Sequence, residues 1–232
     1  MRLPIAASVF SRRQDLLGSR LAMTTLALIL LLALVSSARA EDEMTFEAVN
    51  YGGESVISAT GRIGESTPDV FLDFLQKNSR GHLHTIVFLD SPGGVVLASM
   101  QFGTILRKIG AAAIVGKISG GFLGGKASIS PAKCVSACVY ALIGARKRVI
   151  PPESAVGIHK MFLTVDGEDV TALSTKQDRA TASGLRTMLA SYTGKMGVSP
   201  ELIARAERIP SEELHILTRA EIRKWRLGVP NL

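Results

Sequence analysis

Cysteine is nearly absent from this chain of 232 residues: there are two, Cys134 and Cys138. A disulfide-dense scaffold is therefore excluded. Aromatic residues make up only 5% of the sequence, and none interleaves with the basic triplet Arg146-Lys147-Arg148. That removes the stacking platform a single-stranded nucleic-acid binder needs, so no nucleic acid is expected as a partner. Of the four histidines, His82, His84 and His215 show no metal-ligand spacing. A phosphate-binding loop of the Walker type is missing, and with it any call for ATP; no metal or other cofactor is implied. Internal repeats and low-complexity segments are absent as well.

Positive charge is not lacking, with a formal net charge of +7, but it is unevenly placed. Residues 1–40 carry Arg2, Arg12, Arg13, Arg20 and Arg39 against the single acid Asp15, which leaves 22 bases and 19 acids in residues 41–232. The basic balance is thus mainly a property of the N-terminus and does not point to an acidic partner.

That N-terminus reads as an export signal. Leu21 to Val35 is apolar except for Thr24 and Thr25, Arg20 and the pair Arg12-Arg13 precede it, and Ala38-Arg39-Ala40 closes it before acidic Glu41-Asp42-Glu43. The run is shorter than the ~20 residues of a membrane span. A cleaved signal peptide over 1–40 is the preferred reading, and an uncleaved membrane anchor is the alternative. Residues 41–232 are then one domain outside the cytoplasm, in a bacterial periplasm.

Within that domain, apolar runs alternate with helical periodicity. Strands are expected at Val56–Thr60, His84–Leu89 and Ala111–Val115. Between them, a helix capped by Thr67 with Pro68 in its first turn and a helix from Val95 to Ile109 provide the crossovers. Such alternation argues for parallel βαβ units. Gly116 to Lys133, with Gly120-Gly121 and Gly124-Gly125, is a glycine-rich loop or hairpin insertion. Helical character resumes at Ser136–Ile143. Short strands follow at Arg148–Ile150 and Ala155–His159, then a helix over Ala172–Met196 with Leu185, Met188, Leu189, Tyr192 and Met196 on one face. Ser199-Pro200-Glu201 opens a short helix, and Thr218 with Glu221 forms a capping box for the last one.

Three pieces carry chemistry. Ser91-Pro92-Gly93-Gly94 follows a buried strand, Cys134-Val135-Ser136-Ala137-Cys138 lies at a loop-to-helix junction, and Gly157-Ile158-His159 ends a strand. A serine hydroxyl becomes a nucleophile when a base takes its proton, and histidine titrates in the range that suits this task. A Gly-Gly turn and the residue after the nucleophile can offer N–H donors to an oxyanion. This assigns Ser136 as nucleophile, His159 as base, and Gly94 with Ala137 as the oxyanion hole. Each piece alone reads more simply, with Ser136 as a helix cap and His159 as a structural histidine; their joint occurrence favours a site.

Leu89-Asp90-Ser91-Pro92-Gly93-Gly94, then a serine between small residues, then Arg148…Pro152…Ile158-His159, resembles the proteolytic subunit of Clp protease. The similarity runs over roughly residues 54–229, and the signal peptide with Cys134-Val135-Ser136-Ala137-Cys138 is similar to the exported, uncharacterised branch of that group. The resemblance implies an α/β fold, the ClpP/crotonase-like spiral of βαβ units, as a single domain over 41–232. It implies a serine peptidase acting on peptides or unfolded protein, with Ser136 and His159 at the family's nucleophile and base positions and Gly94 and Ala137 at its oxyanion positions. Homo-oligomerisation is compatible with the resemblance, but the motifs do not specify it. The family's third residue, an aspartate, falls on Ala206, with Glu207, Glu212 and Glu213 as the nearby carboxylates. The glycine-rich insertion at 116–133 is a second departure. A catalytically inactive fold kept as a binding or scaffold module is the alternative function, and acyl-thioester chemistry is a third.

Cys134 and Cys138 are a helical turn apart. On one regular helix they would bond poorly; with Cys134 ahead of the helix, a disulfide becomes reachable. A disulfide and a pair of buried thiols both remain open from the sequence, with a metal site shared with His159 as a minor third reading, since fewer than three clear ligands are in sight. Lys133 and Lys160 flank the proposed pair and are read as solvated side chains.

Overall fold

Short runs of β-branched and apolar residues make the strands, and the amphipathic stretches between them make the helices. The computed structural model describes residues 43–79, 83–119, 128–161, 164–165, 168–169 and 176–231. In chain order the elements begin β1 (Thr45–Tyr51), β2 (Glu54–Thr60), α1 (Thr67–Lys77), β3 (Leu83–Asp90), α2 (Val96–Lys108), β4 (Ala112–Val115), β5 (Lys117–Ser119), β6 (Ser128–Ser130) and β7 (Lys133–Val135). They continue α3 (Cys138–Gly144), β8 (Lys147–Val149), β9 (Ala155–Ile158), β10 (Thr164–Val165), β11 (Glu168–Asp169), α4 (Lys176–Lys195), α5 (Glu201–Ala206), β12 (His215–Ile216) and α6 (Arg219–Lys224). The expected signal peptide at 1–40 lies outside the described residues, as do the tip of the glycine-rich insertion at 120–127 and the expected start of the long helix at 172–175.

The architecture is mixed α/β. A five-stranded sheet has the order β1-β2-β3-β4-β8. β2, β3, β4 and β8 run parallel, and β1 is added antiparallel to β2 across a Gly52-Gly53 turn. Parallel neighbours need crossovers, which α1 supplies between β2 and β3, and α2 between β3 and β4. Val87, Phe88 and Leu89 of β3 are buried, as a strand covered on both faces requires. Each such side chain contributes roughly 1.5–3 kcal/mol by its removal from water. A second sheet, β12-β9-β7, has β7 parallel to β9 and β12 antiparallel to β9. The two sheets meet where Ser91, just past β3, pairs in parallel with Cys134 of β7.

Several expectations need correction. β1 was not foreseen: Glu47 and Asn50 interrupt its apolar run, and no position along it is fully buried. Thr67 does not cap α1. It is already helical, and its hydroxyl accepts from the Gly64 N–H at 2.9 Å. Met188 is exposed, so the packed face of α4 is carried by Leu189 and Tyr192, with Leu185 and Met196 against the core. Gly116 to Lys133 opens and closes as the antiparallel pair β5–β6 before joining β7. The capping box at Thr218 and Glu221 is present as expected.

Helices α2 and α3 cross at glycine. A Cβ on Gly144 would lie 2.1 Å from the Gly103 carbonyl oxygen and 2.3 Å from its Cα. This contact sets how closely α3, which follows the Ser136 segment, beds into the core. Gly144→Ala is therefore expected to cost about 2 kcal/mol or more of unfolding free energy, in the range of overpacked cores. Urea denaturation of the variant beside the parent measures it, and an unchanged midpoint would show that the crossing gives way freely.

Candidate active site

Three parallel strand ends supply the site. β3 ends in Asp90 and runs into Ser91-Pro92-Gly93-Gly94, β7 ends at Val135 before Ser136, and β9 ends at Ile158 before His159. Carboxyl ends of parallel strands are where ligands bind in open α/β sheets. The main chain locks the three together. Ser91 N–H donates to the Lys133 carbonyl at 2.7 Å, Val135 N–H to the Ser91 carbonyl at 3.2 Å, and Ser136 N–H to the Gly157 carbonyl at 2.9 Å. Asp90 adds a side-chain clamp, its Oδ1 accepting from Lys133 N–H at 3.2 Å.

Ser136 does not cap a helix. Its φ is +56°, a left-handed conformation that costs a residue with a Cβ roughly 1–2 kcal/mol. The cap position of α3 falls to Ala137. The turn at Ser136 is closed by a disulfide between Cys134, in β7, and Cys138, the first residue of α3. Both sulfur-bearing residues are fully buried. The question left open by their spacing is thus answered by the register: one cysteine precedes the helix, and their Cα atoms stand 5.2 Å apart.

His159 Nε2 lies 2.7 Å from Ser136 Oγ, and Nδ1 lies 2.8 Å from the Lys160 carbonyl oxygen. A carbonyl can only accept, so Nδ1 carries the proton. In the neutral imidazole Nε2 is then an acceptor, and the Ser136 hydroxyl donates to it. Lys160 is held in turn by its N–H, which donates to the Ile209 carbonyl at 2.9 Å. Both Ser136 and His159 are partly accessible. Tyr140, one turn into α3, is no competing base: burial, and behind it the Glu207 charge, pushes its phenol far above the ordinary range.

Gly93 and Gly94 permit the close approach of the turn to the serine. A Cβ on Gly93 (φ +100°) would sit 2.7 Å from the Ser136 Cβ and 2.9 Å from the Ala137 nitrogen. One on Gly94 (φ +138°) would sit 2.1 Å from the Ile63 carbonyl oxygen. Gly93 N–H is occupied by the buried Ser91 hydroxyl at 3.1 Å, and Ser136 N–H is occupied by Gly157. Among the described residues, the N–H groups of Gly94 and Ala137 donate to no protein acceptor, which leaves them for a ligand oxygen.

At the position where the resemblance puts an acid, Ala206 is a buried methyl that precedes the Ile209 turn. Of the neighbouring carboxylates, Glu207 stands 3.6 Å from Arg186, Glu212 accepts from the Ser211 hydroxyl at 3.2 Å, and Glu213 is exposed. The histidine orienter that the structure does place, the Lys160 carbonyl, is one that residue patterns do not reveal, because every residue has a carbonyl. The clamps made by Asp90 and Ser91 had a signal in their turn-forming sequence. Among the described residues no three metal-ligating side chains gather, and no helix is long and apolar enough to cross a membrane.

No protein-family model and no curated protein matches the chain. Among solved structures, it is similar to a serine-to-alanine mutant of the 1510-N membrane-bound stomatin-specific protease, at 18% identity and a TM-score of 0.49, over 74% of this chain and 76% of that one. A lysine-to-alanine mutant of the same protease with a substrate peptide gives 18% identity and a TM-score of 0.49, over 74% and 72%. A likeness at this level assigns neither activity nor substrate.

The disulfide spans a very short loop, for which chain entropy predicts about 2 kcal/mol of stabilisation. Replacing both Cys134 and Cys138 by alanine is expected to lower the unfolding free energy by about that amount. Denaturant melts of the double variant test this, and mass spectrometry of oxidised protein should find no free thiol. Two free thiols would dismiss the bridge.

Proposed function

We propose that the domain is an exported ClpP-like serine peptidase that hydrolyses peptide bonds in peptides or unfolded segments. The observation that carries this reading is the contact from Ser136 Oγ to His159 Nε2 at 2.7 Å, with the opposite ring nitrogen held by a carbonyl. Ser136 Oγ attacks the scissile carbonyl carbon while its proton passes to Nε2. The carbonyl oxygen becomes an oxyanion and takes the N–H groups of Gly94 and Ala137. Collapse of the tetrahedral intermediate expels the amine, which leaves with the proton from Nε2. Water then attacks the acyl-serine, giving its proton to Nε2, and the proton returns to Ser136 Oγ as the product acid departs. General base catalysis of this kind is worth typically 10²–10⁴-fold, and one oxyanion donor about 10²–10³-fold.

The resemblance of the three motifs supports the same roles. The 1–40 segment supports export and a periplasmic site of action. The absence of an acid at Ala206 supports the rival, a binding module that keeps the crevice without turnover.

A fluorophosphonate probe decides between them. The purified 41–232 protein is expected to label, Ser136→Ala to lose labelling entirely, and His159→Gln to slow it by about 10²–10⁴-fold. Ser136→Gly is also expected to abolish labelling while raising stability by about 0.5–1 kcal/mol, because glycine accepts the left-handed φ without strain. A parent protein that does not label, or a Ser136→Ala variant that labels equally, would sink the nucleophile and leave the binding module.

A further inference from the structure

The basic triplet Arg146-Lys147-Arg148 lies on one wall of a cleft. β8 is the last strand of the five-stranded sheet, and the C-terminal segment zips onto it, Ile150 N–H donating to the Val229 carbonyl at 2.8 Å and Val229 N–H to the Arg148 carbonyl at 3.0 Å. Beside this seam is a cavity of about 530 Å³ lined by Arg146, Lys147, Arg148, Arg223, Arg226 and Asn231, with Val149 and Val229 as its apolar wall. That volume lies in the range of small-ligand sites.

Its five cations do different work. Arg148 is half-buried, and its guanidinium donates to the carbonyls of Leu227 at 2.7 Å, Ala145 at 3.0 Å and Arg226 at 3.1 Å, so it ties the cleft together. Arg146, Lys147, Arg223 and Arg226 are exposed and take part in none of the ion pairs among the described residues. No acidic side chain lines the cavity. The cleft thus gathers five of the 22 bases of residues 41–232 with no acidic side chain among its lining. Uncompensated like charges repel, and the complement that relieves them is an anion.

Arg226 follows α6 with φ +56°, in the left-handed position that closes the helix: its N–H donates to the Arg223 carbonyl at 3.0 Å, and the Leu227 N–H donates to the Ile222 carbonyl at 2.9 Å. Arg223, in the last turn of α6, and Arg226, just beyond its end, both line the cleft. Guanidinium groups match pairs of phosphate oxygens.

We propose that this cleft binds a phosphate ester, with the phosphate held by Arg146, Arg223 and Arg226 and the carbon skeleton against Val229. The same chemistry is offered by a soluble phosphorylated molecule and by a phospholipid headgroup, and two assays separate them. Calorimetric titration with glycerol 3-phosphate reads the soluble form. Co-sedimentation with phosphatidylglycerol–phosphatidylcholine vesicles reads the lipid. Binding in at least one assay is expected, weakening as salt is raised from about 50 mM. The pair Arg223→Gln and Arg226→Gly should reduce it at least about tenfold. Arg226→Gly alone is expected to melt no lower than the parent, so its weaker binding cannot come from unfolding. Lys77→Gln with Lys117→Gln, which removes the same charge outside the cleft, should bind as the parent does. The proposal is overturned if neither probe binds the parent at low salt, if the cleft variants bind as tightly as the parent, or if the control pair loses as much. Labelling of Ser136 is expected to be the same in all of these proteins, so this result stands apart from the peptidase reading.

Discussion

Three residues of main chain, Lys133–Val135, are the constraint on which the site depends. They form β7, hydrogen-bonded to Ser91 on one side and in parallel register with β9 on the other. Through them the end of β3, with its Gly93-Gly94 turn, is held in register with the end of β9, which carries His159. The separation of Ser136 Oγ from His159 Nε2 is thereby set by ladder hydrogen bonds. Each is worth only about 0.5–1.5 kcal/mol net, but as main-chain bonds they leave little freedom. Elements on loops alone could not hold a 2.7 Å contact as reliably.

That rigidity accounts for the left-handed conformation of Ser136. Leaving β7, the chain must turn at once into α3, whose far end is bedded on α2 at the Gly103–Gly144 crossing. A residue at φ +56° makes the turn in a single step. The cost of roughly 1–2 kcal/mol is of the size that the disulfide around it supplies. Staple and strain therefore balance locally. The same turn directs the Ser136 N–H into Gly157, so the proposed mechanism takes its oxyanion donors from the next residue and from the glycine turn opposite.

The βαβ order was legible from periodicity because Val87-Phe88-Leu89 and Ala113-Ile114-Val115 are apolar without interruption, and the helices between them repeat at helical spacing. The capping box at Thr218 and Glu221 was legible for the same local reason. β1 was not, since an edge strand with no fully buried residue has little need of apolar pattern. Thr67 misled because a threonine before a proline has the chemistry of a cap whether or not it stands one residue too late. In the site, the side chains of the proposed nucleophile and base left a trace at Ser136 and His159. The main-chain carbonyls of Gly157 and Lys160 left none, and the cationic cleft is split between residues 146–149 and 223–231, which only the fold brings together.

In the proposed peptidase, the carbonyl behind the imidazole bears on rate. An acidic partner has two effects: it selects the tautomer with its proton on Nδ1, and it stabilises the cation formed when Nε2 takes the serine proton. The Lys160 carbonyl achieves the first fully, because it can only accept. For the second it offers a hydrogen bond to a charged group, worth about 1.5–3 kcal/mol. A full charge about 4 Å away would give roughly 4 kcal/mol at an effective dielectric near 20. The difference of about 1–2.5 kcal/mol is a factor of roughly five to seventy in rate. Losing the tautomer is the graver loss, near 10⁴-fold in the triad enzymes where the acid becomes an amide. With Ala206 in place of an acid, a site that keeps its tautomer through the main chain thus retains most of what the third residue of a triad contributes.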